Sequence, residues 1–183
     1  MHKFICISGC TASGKSSFAI ELADYFESPV IINADALQVY DCWKILTDRP
    51  TEKKTLHDLY GHVSCRVNYS VGDWIKDVKN IFDLYSKKSK TFIFVGGTGL
   101  YFNALLNGLS QIPQIPEEIR DFANSCDLSF FLKGLNINDP DILEKIDTNN
   151  RRRVQRAWEV LEATGKSIVY WQSKNTSPLV SVS

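Results

Sequence analysis

The stretch Gly9-Cys10-Thr11-Ala12-Ser13-Gly14-Lys15-Ser16 constrains this chain more than any other. Its two glycines let the backbone curl so that several amide N–H groups aim at one anion. A helix beginning at Lys15 adds its positive amino-terminal end, Lys15 adds a mobile charge, and the Ser16 hydroxyl can ligate Mg²⁺. The flanks fit that reading. Phe4 to Ser8 is a short apolar run with the look of a buried strand, and Phe18, Ala19, Leu22, Ala23 and Phe26 share one helical face. Pro29 precedes a second apolar run, Val30 to Asp35. Strand, glycine turn, helix and strand in that order predict a βαβ unit with a parallel sheet. Such a loop binds phosphate without specifying the molecule that carries it.

Further along, Trp74, Ile75, Val78, Ile81, Phe82 and Tyr85 predict an amphipathic helix starting near Val71, closed by a turn with Lys87, Lys88 and Lys90. A third buried strand, TFIFVGGTG, enters a second glycine turn, and LYFNALLNGL continues as a helix to about Gly108. Residues 41–68, with Pro50, show no sustained period. After the proline-bearing IPQIPEEIR the chain reads as short helices, the longest from about Asn150 to Thr164 with Gly165 as its stop. The division expected is an α/β core over residues 1–110 and a helical extension over 111–183.

The 21 basic and 21 acidic residues cancel, so a nucleic-acid partner must be argued from local clusters. No apolar stretch approaches the roughly 20 residues of a membrane span. Cys6, Cys10, Cys42, Cys65 and Cys126 lack metal-ligand spacing and suit free thiols in a reducing, cytoplasmic setting, with Cys6 buried in its strand.

Three further features carry chemistry. Asp35 ends the second strand, and in a parallel sheet the carboxyl ends of neighbouring strands line the ligand crevice. Its carboxylate there can help hold Mg²⁺ or take a proton from an acceptor. The third strand ends in Gly96-Gly97-Thr98, where a hydrolytic P-loop protein would usually place a metal-binding aspartate; a glycine turn suits close approach of a bulky substrate. Finally, Val154, Ala157, Trp158 and Leu161 form an inward stripe, leaving Arg152 and Arg156 on a free face flanked by Arg151 and Arg153. Such a cluster suits an RNA backbone. His2, His57 and His62 form no ligand pair.

Taken together these pieces resemble the tRNA dimethylallyltransferase family, and the matches run in order along nearly the whole chain. GCTASGKS is similar to the family's phosphate loop. NADALQVYDCWKILTDRPT is similar to its Asp-Ser-x-Gln-x-Tyr segment with the following Thr-x-x-Pro. YSVGDW, VGGTGLYFNALLNGL, IPEEIR and NNRRRVQRAWEVLEATGKS each have a counterpart. The resemblance implies transfer of a dimethylallyl group from dimethylallyl diphosphate to N6 of the adenosine next to the anticodon (position 37) of tRNA. It implies that Gly9, Cys10, Thr11, Ala12, Ser13, Gly14, Lys15 and Ser16 hold the diphosphate, with Thr11 and Lys15 assisting catalysis and Mg²⁺ near Ser16. Asp35 would be the general base. Asp35, Ala36, Leu37, Gln38, Thr98, Arg120, Arg152, Arg153, Val154, Gln155 and Arg156 would touch the tRNA. The fold it implies is α/β, a P-loop NTPase-like parallel sheet flanked by helices with a helical extension, in a cytoplasmic monomer without membrane attachment.

The chain departs from the family at three places. Cys10 replaces a proline, Ala36 replaces a serine beside the base, and family members continue considerably further, so part of the core is expected to be missing. Two other readings stay open: a small P-loop kinase with ATP in the loop and Asp35 accepting a hydroxyl proton, and an RNA-binding remnant without turnover. A close variant of the transfer reaction would use a free adenine nucleotide.

Overall fold

The computed structural model describes residues 2–47, 49, 55–174 and 176–180. Pro50, of the Thr-x-x-Pro segment, lies outside the described residues. The elements are β1 (Lys3–Ser8), α1 (Lys15–Ala23), β2 (Pro29–Asn33), β3 (Leu56–Asp58), α2 (Val71–Leu84), β4 (Thr91–Gly96), α3 (Gly99–Asn107), α4 (Glu117–Ser125), α5 (Leu128–Asn138), α6 (Pro140–Leu143), α7 (Arg151–Thr164) and α8 (Ile168–Gln172). They fall into two compact units, one comprising Met1–Gly108 with the segment from Pro178, the other Leu109–Ser177.

The first unit is an α/β layer structure around four parallel strands in the order β1-β4-β2-β3. Its register sets the site. Lys3 through Ser8 pair with Thr91 through Gly96, and Pro29 through Asn33 pair with Thr91 through Val95. The carboxyl ends of β1, β4 and β2 therefore finish level, and the chain leaves all three at one edge. Strand alternation sorts the side chains. Val30, Ile32, Phe92 and Phe94 pack with Trp74 and Val78 of α2 and Tyr101 and Leu105 of α3, while Ile31, Ile93 and Val95 meet Ala19 and Ala23 of α1 on the other face. Trp74 is fully buried, stacks on Tyr101 at 4.5 Å between ring centroids, and donates its indole N–H to the Asn33 carbonyl at 2.8 Å. A buried aromatic of this kind costs about 3–5 kcal/mol when truncated to alanine. Ser70 and Asp73 form a reciprocal capping box at the start of α2.

Four expectations change. A fourth strand, β3, lies within 41–68; its three residues, Leu-His-Asp, are too few to show a period. Phe18 is 54 % exposed, so α1 buries the narrower stripe of Ala19 and Ala23. Cys6 is exposed, because β1 is the edge of the described sheet, and Cys42 and Cys65 are bonded to each other as a disulfide. Asp41 lies beside that pair and accepts from the Cys65 N–H at 3.3 Å, but sulfurs committed to each other leave no thiolate for a metal.

The second unit is helical around Phe131, Leu135, Val154, Ala157, Trp158 and Ile168. Asp127 caps α5 and Asn150 caps α7 with side-chain oxygens. Leu109 and Thr176, near its two ends, exchange hydrogen bonds of 2.9 and 3.0 Å and close it on itself. No helix among the described residues is long and apolar enough to cross a membrane.

Candidate active site

The phosphate loop connects β1 to α1. Gly14 stands at φ 80° and Ala12 at φ 61°, left-handed positions that turn successive amides to one side. The Lys15 ammonium folds back onto the Cys10 carbonyl and braces the loop. The N-cap residue of α1, Gly14, offers no side-chain cap, unlike those of α2, α5 and α7, and the first turn of α1 holds no acidic residue. Its first amides are thus left for an external anion.

Asp35 follows β2 by two residues. Its backbone N–H donates to Asn33 Oδ1 at 2.9 Å, and its carboxylate accepts from the Leu37 N–H at 2.9 Å. Next door, the Ala36 N–H donates to Thr98 Oγ1 at 2.9 Å, and Thr98 N–H donates to the Ala34 carbonyl at 3.2 Å. The two glycines that end β4 have different reasons. A Cβ on Gly96 would stand 2.1 Å from the Ala34 backbone, so that glycine serves strand packing rather than a bulky substrate. A Cβ on Gly97 would start 3.3 Å from the Gly9 carbonyl oxygen and 3.7 Å from Asp35 Oδ2. Gly97 keeps open the space between loop and carboxylate.

These parts line one cleft of about 370 Å³. Thr11 to Ser17 form one side, Asp35 and Gln38 another, and Leu37, Trp43 and Leu46 an apolar wall, with Val95 and Gly96 at the end of β4. Leu37, Trp43 and Leu46 are 54 %, 40 % and 83 % exposed, an apolar patch beside a polar loop. Spacing alone does not single out Trp43 or Leu46 in a segment of mixed polarity; the fold brings them beside the loop. The Gln38 side-chain amide donates to the Thr47 carbonyl at 2.7 Å and holds that wall in place. On α3, the Tyr101 phenol is pushed up to about 12 by burial, then by the neighbouring Tyr40, Asp35 and Asp73. The Ser16 hydroxyl and Asp35 carboxylate facing the same cleft are the hard oxygen donors that suit Mg²⁺ together with phosphate oxygens.

In the helical unit, the arginine stretch separates into roles. Arg151, though exposed, folds back along the helix, donating to the Cys126 carbonyl at 2.8 Å and to Gln155 Oε1 at 2.9 Å. It caps the end of α4. Val154 is fully buried, and Gln155 is buried in bonds to Asn124 at 3.0 Å and Glu159 at 2.9 Å. Both side chains thus belong to the helical core. Arg152 and Arg153 are exposed, and Arg156 sits half-exposed with Glu159 3.5 Å away. Arg120 is on α4.

The model of the IPP transferase family matches residues 38–182. The tRNA dimethylallyltransferase of Ruegeria sp. (strain TM1040) is 45 % identical over 179 residues, covering 96 % of this chain and 59 % of that protein. That of Jannaschia sp. (strain CCS1) is 45 % identical over 182 residues, covering 98 % and 61 %. A crystallographic structure of a eukaryotic dimethylallyltransferase acting on tRNA superposes with a TM-score of 0.79 at 29 % identity, over 98 % of this chain and 46 % of that one. The full-length tRNA isopentenylpyrophosphate transferase of Bacillus halodurans superposes at 0.56 with 30 % identity, over 91 % and 57 %. The chain spans about three fifths of the length of the two curated relatives.

Proposed function

The chain belongs to the IPP transferase family, and on that premise we propose that it transfers a dimethylallyl group from dimethylallyl diphosphate to N6 of the adenosine next to the anticodon of tRNA. The observation that carries this reading is the cleft itself. An uncapped helix end for a diphosphate, an apolar wall of Leu37, Trp43 and Leu46 for a short hydrocarbon, and a carboxylate at Asp35 all border one space. A kinase reading shares the loop and the carboxylate, and the two readings differ in what lies on the apolar wall, a prenyl chain or an adenine ring.

The chemistry follows from the parts. The loop amides and Lys15 stabilise negative charge on the leaving diphosphate. Mg²⁺ at Ser16, when bound, supplies further charge neutralisation there. As the allylic C–O bond breaks, its electron pair leaves with the diphosphate, and a new bond forms between that carbon and N6. Asp35 takes the N6 proton, and alignment of amine and leaving group lowers the barrier further. The target base must leave its stack to reach the cleft. Thr11 assists at the diphosphate. Ala36, Leu37, Gln38 and Thr98 contact the flipped nucleotide and its neighbours, while Arg120, Arg152, Arg153 and Arg156 contact the RNA backbone. Residues 1–110 would carry the chemistry and hold the target nucleotide, and 111–183 would supply the contacts to the RNA backbone. It would work where tRNA is found, in the cytoplasm, and as a monomer.

Calorimetric titration tests the reading against the kinase. Dimethylallyl diphosphate with Mg²⁺ is expected to bind at least about tenfold more tightly than ATP, a difference of ~1.4 kcal/mol. ATP binding without prenyl-diphosphate binding would support the kinase instead.

A further inference from the structure

We infer that Asn33 is the positioning residue for the Asp35 carboxylate, an assignment that rests on the reading of Asp35 as the base. Asn33 closes β2 and is completely buried, an unusual place for a side-chain amide. Its Nδ2 donates to the Asp35 carbonyl at 2.9 Å and to the Leu59 carbonyl at 3.0 Å, and its Oδ1 accepts from the Asp35 N–H at 2.9 Å. Only one orientation of the amide satisfies two carbonyls and one N–H together. The side chain thus grips the Asp35 backbone on both sides while anchoring it to the residue after β3.

The consequence reaches the carboxylate by a short chain of bonds. With the Asp35 backbone fixed, its carboxylate accepts from the Leu37 N–H, and the Ala36 N–H meets Thr98 Oγ1, each at 2.9 Å. Leu59 stands at φ 60°, a left-handed conformation that strains a non-glycine residue, and its carbonyl is held by the same amide. Asn33 does not line the cleft. It acts on the site through Asp35 alone. Position 33 asks for two donors and an acceptor on one short neutral side chain, which asparagine supplies. Aspartate would keep the acceptor, lose both donors and bury a charge. Serine is too short to span the same three partners.

The test uses the full chain with Asn33→Ser and Asn33→Asp. Amide hydrogen exchange by NMR is read at Ala36 and Leu37 and, as an internal reference, at Val30, Ile31 and Ile32 of β2. Prenyl transfer to tRNA is followed in parallel. The expected result is exchange at Ala36 and Leu37 faster by about tenfold or more, with the β2 amides within about twofold. In the transfer assay kcat falls by roughly 10- to 100-fold while KM for dimethylallyl diphosphate stays within about twofold, the signature of a displaced group rather than a lost binding contact. Unchanged exchange at Ala36 and Leu37 would overturn the inference, as would acceleration spread evenly through β2, which marks a purely structural role. Absence of transfer by the parent chain would count against the transferase reading, and the exchange measurement would still decide the placement of Asp35. Should Asn33→Asp fail to fold, Asn33→Ser decides alone.

Discussion

The two units place their functional groups by different physical means. In the sheet unit the groups are held by backbone: level strand ends, left-handed loop positions, a glycine packed onto a neighbouring strand, and a side-chain amide gripping a peptide. In the helical unit they are side chains projected from α7, and neighbours on one helix have unrelated tasks, as Arg151 and Arg152 illustrate. Backbone-placed sites are intolerant of small covalent changes, whereas a helix face tolerates change wherever a side chain is not also holding the core together.

That contrast is sharpest at two glycines. Gly96→Val is expected to destabilise the protein by about 3 kcal/mol or more, because the new atoms collide with backbone that cannot move aside. Gly134→Ala in α5 would place its Cβ 3.0 Å from the Trp158 ring nitrogen, a tight but side-chain contact. A gain of up to about 1 kcal/mol in helix propensity offsets it, so the net change stays within about 1 kcal/mol. Urea melts of both variants decide, and equal losses would break the comparison.

Next in size are the charged groups. Lys15→Ala should weaken dimethylallyl diphosphate binding by roughly 10- to 100-fold, the worth of about 1.5–3 kcal/mol in charge-assisted bonds, with tRNA affinity unchanged. Arg151→Gln removes the bonds that cap α4 and should cost stability of about 1.5–3 kcal/mol. Arg152→Gln should leave stability within about 0.5 kcal/mol and instead reduce the salt dependence of tRNA binding by about one phosphate contact. If both arginine variants alter the salt slope alone, the division of roles along α7 is wrong.

The smallest effect belongs to the capping box of α2. Hydrogen bonds from the Ser70 side chain and backbone hold the Asp73 carboxyl below its ordinary range. A depressed carboxylate contributes stability above its unfolded value of about 3.9 and loses that contribution as pH falls through the lower folded value. Asp73→Asn should therefore lower stability slightly at about pH 6, with the gap to the parent closing as pH falls below about 3.9. A gap that persists at pH 2 would show that something other than the ionised cap is at work.

Much of this was legible in the sequence because it is local. The loop at Gly9–Ser16 is a contiguous pattern with strand and helix signals on either side, and Asp35 stands where an apolar run ends. What escaped depends on distant partners. β3 is three residues long and exists because β2 offers it an open ladder. Gly96 looked like room for substrate until Ala34 was seen against it. Asn33 reads as an ordinary polar residue before Asp35; only the fold brings Leu59 to it, 26 residues away. Phe18 shares a helical period with Ala19, Ala23 and Phe26, yet it stays exposed while the two alanines and Phe26 pack on the sheet side.

The most direct test of the account joins the cleft to its chemistry. The purified chain is incubated with dimethylallyl diphosphate, Mg²⁺ and unmodified tRNA, and the digested nucleosides are weighed by mass spectrometry, with Asp35→Asn alongside. The account predicts a prenylated adenosine from the parent and its loss in Asp35→Asn, with diphosphate affinity retained in that variant. An Asp35→Asn protein that prenylates as fast as the parent, or a folded, diphosphate-binding parent that yields no prenylated adenosine, would contradict it.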